Sequence, residues 1–247
     1  MNIRIIPTIL LDNNRSIKTN KFNKKKITYI GDPINIAKIF NEKQADEICF
    51  IDILKSTNNE KPNFDLIENI ASEFFAPMIY GGGIHTLEDA KKIFYAGVEK
   101  IIIESAAYEN LEFLKILNDY FGAQSIIFSL NLKKNFLGKF KIFNTKSNSF
   151  LKTNNNEFLS KLNSFHKGEI LINFTNLENT YLGPDISGLK FILPKINKKI
   201  IYNCGISSMN DIKKLLEIPN ISAVCVGSLF IFSKKNKGVL INYDNKI

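Results

Sequence analysis

The sequence predicts an α/β fold, a closed (β/α)8 barrel of the TIM type made of two similar half-barrels, on three observations. The chain has 247 residues, close to the roughly 250 of a one-domain barrel of this kind. Short β-rich apolar runs alternate with amphipathic helical patterns from end to end, as in a parallel sheet covered by helices. One stretch of the first half then recurs in the second. Residues 1–247 are read as a single domain.

The apolar runs fall at residues 3–11, 47–53, 78–81, 100–104, 125–132, 169–173, 199–203 and 223–227. Most are continuous, as strands buried on both faces should be. Amphipathic helices are expected at 65–75, 87–96, 109–121 and 209–216, with Asn63 and Thr86 as N-caps. Two insertions break the alternation: a basic loop at 12–30 after strand one, and a segment at 133–155 after strand five that alternates enough to be a hairpin. Both follow strand C-termini, the end where such barrels place their sites. The tail after Phe232 is short, which predicts an abbreviated eighth helix.

The repeat pairs Ile79-Tyr80-Gly81-Gly82-Gly83-Ile84 with Ile201-Tyr202-Asn203-Cys204-Gly205-Ile206, 122 positions later. It continues through Asp89 with Asp211 and Lys91-Lys92 with Lys213-Lys214, and about one residue out of register Glu104-Ser105 answers Gly227-Ser228. Glycine lets backbone N–H groups approach an anion, and a serine hydroxyl adds a hydrogen bond. Gly83 with Ser105 would form one phosphate cradle, and Gly205 with Ser228 a second across the barrel mouth. Two cradles would suit an elongated ligand with a phosphate at each end; ordinary βα turns are the alternative.

Composition narrows the function further. The net charge is +9, but the lysines are scattered and lack interleaved aromatics on one face, so nucleic acid is not expected. A basic surface suits phosphorylated small molecules or an acidic partner. Cys49, Cys204 and Cys225 sit in or at the end of apolar runs and read as reduced thiols. With only His85 and His166, no metal site is expected, and no cofactor. No apolar run approaches the ~20 residues of a membrane span, and the N-terminus reads as a first strand and not as a signal peptide. The expected location is the cytoplasm.

Arg4-Ile5-Ile6-Pro7, Gly31-Asp32-Pro33, Ala45-Asp46-Glu47, Ile51-Asp52-Ile53, Gly81-Gly82-Gly83-Ile84, Gly168-Glu169-Ile170-Leu171 and Gly227-Ser228-Leu229-Phe230 fall in an order that resembles the cyclase subunit of imidazole glycerol phosphate synthase, over residues 3–232. The ending Gly238-Val239-Leu240-Ile241-Asn242-Tyr243 resembles a branch found in surface-glycan gene clusters, the glycosyl amidation-associated cyclase-like proteins. The resemblance implies a barrel that receives ammonia from a glutaminase subunit in a heterodimer and closes an imidazole ring with two aspartates as acid and base. Where the family reads Pro-Cys-Leu-Asp, this chain has Pro7-Thr8-Ile9-Leu10, and the second aspartate aligns with Asn131. Asparagine hydrogen-bonds but cannot exchange a proton near neutrality. The family's Asp-Arg-Asp-Gly-Thr has become Asn176-Leu177-Glu178-Asn179-Thr180. No catalytic residue is therefore assigned.

The family's ring of charges that gates ammonia matches Arg4, Glu47, Lys100 and Glu169, and Arg15 and Lys18 match basic positions of its mobile first loop. Salt bridging for stability alone is the alternative for the ring. The chain has no Gly-x-Cys-x-Gly elbow, so a separate glutaminase is implied. The expected role is an ammonia-channelling barrel of a glutamine-dependent amidotransferase, which also works with an ATP-dependent sugar amidotransferase. An active cyclase in histidine biosynthesis, with Asp12, Asp52 or Glu178 as stand-ins, is the alternative. A two-phosphate sugar isomerase is a third, and Leu10 argues against it.

Overall fold

The computed structural model describes residues 4–23, 25–234 and 237–243. Eight parallel strands close into a barrel: β1 (Arg4–Asp12), β2 (Ile48–Asp52), β3 (Met78–Gly81), β4 (Lys100–Ile103), β5 (Ile126–Lys134), β6 (Glu169–Phe174), β7 (Ile200–Asn203) and β8 (Ile221–Val226). Each pairs with the next, and β1 closes the sheet on β8 with Arg4 opposite Ala223 and Pro7 opposite Val226. All eight lie where the apolar runs fall, shifted by a few residues at most at their ends, although Ile3 lies outside the described residues.

Strand alternation sorts side chains into two clusters. Ile6, Cys49, Ile79, Ile102, Ile127, Leu171, Ile201, Ala223 and Cys225 fill the barrel interior. Their neighbours Ile5, Phe50, Tyr80, Phe128 and Ile200 point outward into the larger cluster beneath the helices. Burying one such side chain is worth roughly 1.5–3 kcal/mol, so the apolar strands hold the barrel by both faces.

The half-barrel repeat is visible in local geometry. Thr86 caps helix Leu87–Tyr95 in a capping box with Asp89, and Ser208 caps helix Met209–Leu216 in the same box with Asp211. Gly83 and Gly205, before each box, both have positive φ, 72° and 84°. Glu104 and Gly227, before Ser105 and Ser228, share unusual backbone angles, φ/ψ of −129°/−84° and −101°/−87°. Asn63 caps helix Phe64–Ala71 as expected, through Leu66 N.

Three expectations are corrected. The helix expected at 65–75 ends at Ala71. The helix expected at 109–121 is two, Ser105–Glu109 and Glu112–Phe121. Asn110 is extended between them, and its side chain accepts from Glu112 N at 3.0 Å. The first insertion is not simply a loop: Arg15–Lys18 runs antiparallel to β1 and pairs in turn with Thr28–Gly31. Ser16, Ile17 and Lys18 are buried there.

The second insertion is a hairpin, with Phe140–Asn144 antiparallel to β5 and Ser149–Phe150 beyond it. After β8 come the short helix Ser228–Ile231 and a small hairpin of Phe232–Lys234 with Lys237–Val239. The tail then folds back, and Tyr243 packs edge-on against Phe40 and Phe230 at centroid distances of 6.2 and 5.2 Å. Tyr243→Ala is expected to cost about 3 kcal/mol, the scale of large-to-small aromatic deletions, read as a lowered urea midpoint.

Candidate functional site

At the N-terminal end of the barrel, Arg4, Lys100 and Glu169 open β1, β4 and β6, and Glu47 immediately precedes β2. The four meet across the barrel floor. Arg4 Nε donates to Glu47 Oε1 at 2.9 Å, and its other end donates to Glu169 Oε1 at 2.7 Å. Lys100 Nζ lies 3.6 Å from both carboxylates. Two cations and two anions form a closed, neutral ring. Burial disfavours the charge on Arg4, but the two glutamates outweigh it and hold the guanidinium more firmly protonated than usual. Burial likewise pushes the Glu169 carboxyl up, yet Arg4, Ser222 and Lys100 bring it below the ordinary range.

Above the floor lies the apolar interior cluster, and above that a layer of amides. Asn131, Asn173 and Asn203 stand near the C-terminal ends of β5, β6 and β7, with Asn131 opposite Asn173 and Asn173 opposite Asn203 in register. Asn203 Nδ2 donates to Asn173 Oδ1 at 2.7 Å, and Asn173 Nδ2 donates to Asn131 Oδ1 at 2.8 Å and to Ser129 Oγ at 2.9 Å. Asn131 stands out in the sequence as a site position, whereas Asn173 and Asn203 do not. Their shared position at the ends of adjacent parallel strands was the available signal.

The barrel mouth opens over this layer as a cleft of about 650 Å³. Gly82, Gly83, Ser105, Ser129, Asn131, Asp52 and Lys133 are among its walls. The first predicted pair, Gly83 and Ser105, is therefore brought together there. A Cβ on Gly82 would collide with the Asp52 carbonyl, so that turn needs glycine to let the chain pass. Ser105 Oγ is buried and has no hydrogen-bond partner. Burial pushes the Asp52 carboxyl up to about 6 against the backbone N–H groups of Leu54 and Lys55, which donate to it.

The second predicted pair, Gly205 and Ser228, borders a separate cavity of about 40 Å³. Protein groups already occupy several of its polar atoms. Ser228 Oγ donates to Asn179 Oδ1 at 2.8 Å, Tyr181 Oη donates to Ser228 O at 3.0 Å, and Gly183 N donates to Gly205 O at 2.9 Å. A Cβ on Gly205 would collide with the Gly183 carbonyl, so the glycine admits the loop that follows β6.

The two loop residues are separated. Arg15 is exposed and pairs with Asp12 at 2.6 Å. Lys18 is buried, its amine donating to the Thr8 carbonyl at 3.4 Å beneath Gly227. Burial lowers the affinity of Lys18 for its proton and raises that of Glu178, whose carboxylate accepts from Thr19 Oγ1 and Phe22 N. Of the candidate stand-in carboxylates, Asp52 faces the large cleft, Glu178 borders the small cavity, and Asp12 lines neither. Leu10 is buried at the small cavity, where an aliphatic side chain offers no proton.

A closed (β/α)8 barrel with a cleft over the C-terminal ends of its strands defines the class. The match to a family model resolves it further: residues 4–236 fit the histidine biosynthesis protein family, and the chain belongs to that family. It is 39% identical over 240 residues to the "Putative imidazole glycerol phosphate synthase subunit hisF2" of Pseudomonas aeruginosa, covering 97% of this chain and 95% of that one. The subunit HisF of Lactococcus lactis subsp. cremoris is 32% identical over 232 residues, 94% and 89% of the two chains. The chain is thus a homologue of the cyclase subunit of imidazole glycerol phosphate synthase. Among the described residues no helix is long and apolar enough to cross a membrane.

The environment of Asp52 sets a pH dependence. Its carboxyl keeps its proton to a higher pH in the folded chain than in the unfolded one, so the folded state loses stability as pH rises through about 6. Asp52→Asn should therefore raise stability at pH 8, by up to about 3 kcal/mol from ~1.4 kcal/mol per pKa unit, and change it little at pH 4. Urea midpoints at the two pH values measure the difference.

Proposed function

We propose that this chain is the ammonia-conducting barrel of a glutamine-dependent amidotransferase, in complex with a glutaminase subunit, and that it serves amidination of a surface sugar. One observation carries the reading. The ring of Arg4, Glu47, Lys100 and Glu169 is complete, while Leu10 and Asn131 stand where the resembling cyclases use aspartates. A barrel that keeps the entrance for ammonia and lacks the acid–base pair delivers ammonia without closing an imidazole ring. Ammonia as neutral NH3 crosses the apolar interior layer at little cost, whereas ammonium would have to give up its hydration. The ring at the floor then acts as the gate. At the other end, the cleft at Gly83 and Ser105 takes a phosphorylated small molecule, and Gly205 and Ser228 serve as architecture. An ATP-dependent sugar amidotransferase is the downstream consumer of the ammonia.

The second reading is a working cyclase of histidine biosynthesis. What favours it is Asp52, a carboxyl that titrates near neutrality in the mouth and so meets the requirement for a general acid or base.

Two measurements separate the readings. The purified chain, given the ribulosyl bisphosphate cyclase substrate and excess ammonium salt, should form no imidazole glycerol phosphate; product that disappears in Asp52→Asn would establish the second reading. Mixed with a glutaminase subunit from the same organism, the chain should bind it and stimulate glutamine hydrolysis several-fold. Lack of both binding and stimulation would sink the ammonia-conducting role. Arg4→Ala leaves Glu47 and Glu169 without their shared cation. It should lower stability by about 2 kcal/mol, below the 3–5 of a fully buried pair because the ring is partly exposed, and release ammonia to solvent while glutamine is still hydrolysed.

A further inference from the structure

The amides of the mouth have a fixed direction. The backbone N–H of Cys204 donates to Asn203 Oδ1 at 2.9 Å. A backbone N–H only donates, so the Asn203 oxygen must face it and its NH2 must face Asn173. The same constraint passes from Asn203 to Asn173 and from Asn173 to Asn131, each oxygen accepting from the preceding amide. The chain of donors ends at Asn131 Nδ2, which is buried, borders the large cleft and has no partner. Burying a donor without a partner is unfavourable, and a ligand that brings an acceptor relieves it.

A second orphan lies in the same cleft. Ser105 Oγ, on a residue only 3% exposed, has no partner either. Ser56, also in the wall, accepts from Gly83 N at 3.1 Å, which leaves its own O–H to donate. Lys21 and Lys25 border this cleft too. Hydroxyl donors with lysines nearby suit a phosphate oxygen set. Across the mouth the cavity at Gly205 and Ser228 is only about 40 Å³, its serine is already bonded, and the Glu178 carboxylate borders it. Lys18 borders it as well, and its charge already faces that carboxylate.

We propose that the mouth takes a ligand with a single phosphate, held by Ser105 and Ser56, and an acceptor oxygen held by Asn131 Nδ2, with no anion bound at Gly205 and Ser228. The proposal rests on the reading that the cleft binds a phosphorylated small molecule, and it names that molecule's class: a sugar monophosphate with a carbonyl or hydroxyl oxygen. Asn131 here selects an acceptor where a carboxylate would repel one.

Calorimetric titration of the intact chain at pH 7.5 with ribose 5-phosphate and with fructose 1,6-bisphosphate tests it. The monophosphate should bind, and the bisphosphate should bind no more than about twofold tighter. Ser105→Ala and Asn131→Asp should each weaken ribose 5-phosphate about tenfold, the scale of one hydrogen bond to a charged or orphaned group, and Ser228→Ala should leave it unchanged. Melting temperatures of all three variants within a few degrees of the parent establish that they are folded, and Asn131→Gln, which keeps the donor, should recover part of the lost affinity. Tenfold tighter bisphosphate binding that Ser228→Ala abolishes would overturn the proposal in favour of two phosphate cradles. Unchanged affinity in Asn131→Asp would overturn the role of Asn131. Failure of both probes to bind, with glutaminase stimulation intact, would remove the ligand and keep the ammonia-conducting reading. Binding as expected without stimulation would do the reverse.

Discussion

Closure of the sheet between β1 and β8 is the constraint on which the rest depends. Once Arg4 to Pro7 pair with Ala223 to Val226, alternate residues of every barrel strand must face a common axis, and each barrel strand is paired on both sides. The register then places residues from distant parts of the chain at one height. Arg4 and Glu169, separated by 165 positions, share a hydrogen bond only because β1 and β6 start at the same end.

The axis is graded as a consequence. A neutral ring of charges forms the floor, apolar side chains from all eight strands fill the interior, and a layer of amides lies under the mouth. Each layer suits the one beside it. The ring satisfies its charges internally, so it can border an apolar layer without leaving an unpaired ion there. The asparagines satisfy one another and leave their last donor toward the cleft. An amide at Asn131 accepts from Asn173 as a carboxylate would, without bringing a charge into this layer.

The two halves have kept their turns and changed their contents. Thr86 with Asp89 and Ser208 with Asp211 still form the same capping box. Beyond it, the first half leaves Ser105 facing an open cleft, while the loop after β6 brings Asn179, Tyr181 and Gly183 down onto Gly205 and Ser228. Lys18 and Glu178 are drawn under that loop, and burial disfavours the charged form of each. Similar backbones thus carry one half-site on a large cleft and one narrowed by a loop to a small cavity.

The sequence by itself determined the strand positions, the closed fold and the repeat, and its resemblance to the cyclase family pointed to the charged ring. Apolar runs, capping residues and residues at strand starts are local signals that the parallel register carries into space without ambiguity. It also showed that Leu10 and Asn131 cannot shuttle a proton, because that is a property of the side chain alone. Tertiary structure decided what the second pair of Gly205 and Ser228 faces, that Lys18 is buried while Arg15 is exposed, and that Asn131 ends a directed chain of amides. Those outcomes depend on a loop folding back over the mouth and on contacts between strands far apart in sequence. No single segment contains both partners, so no local pattern could reveal them.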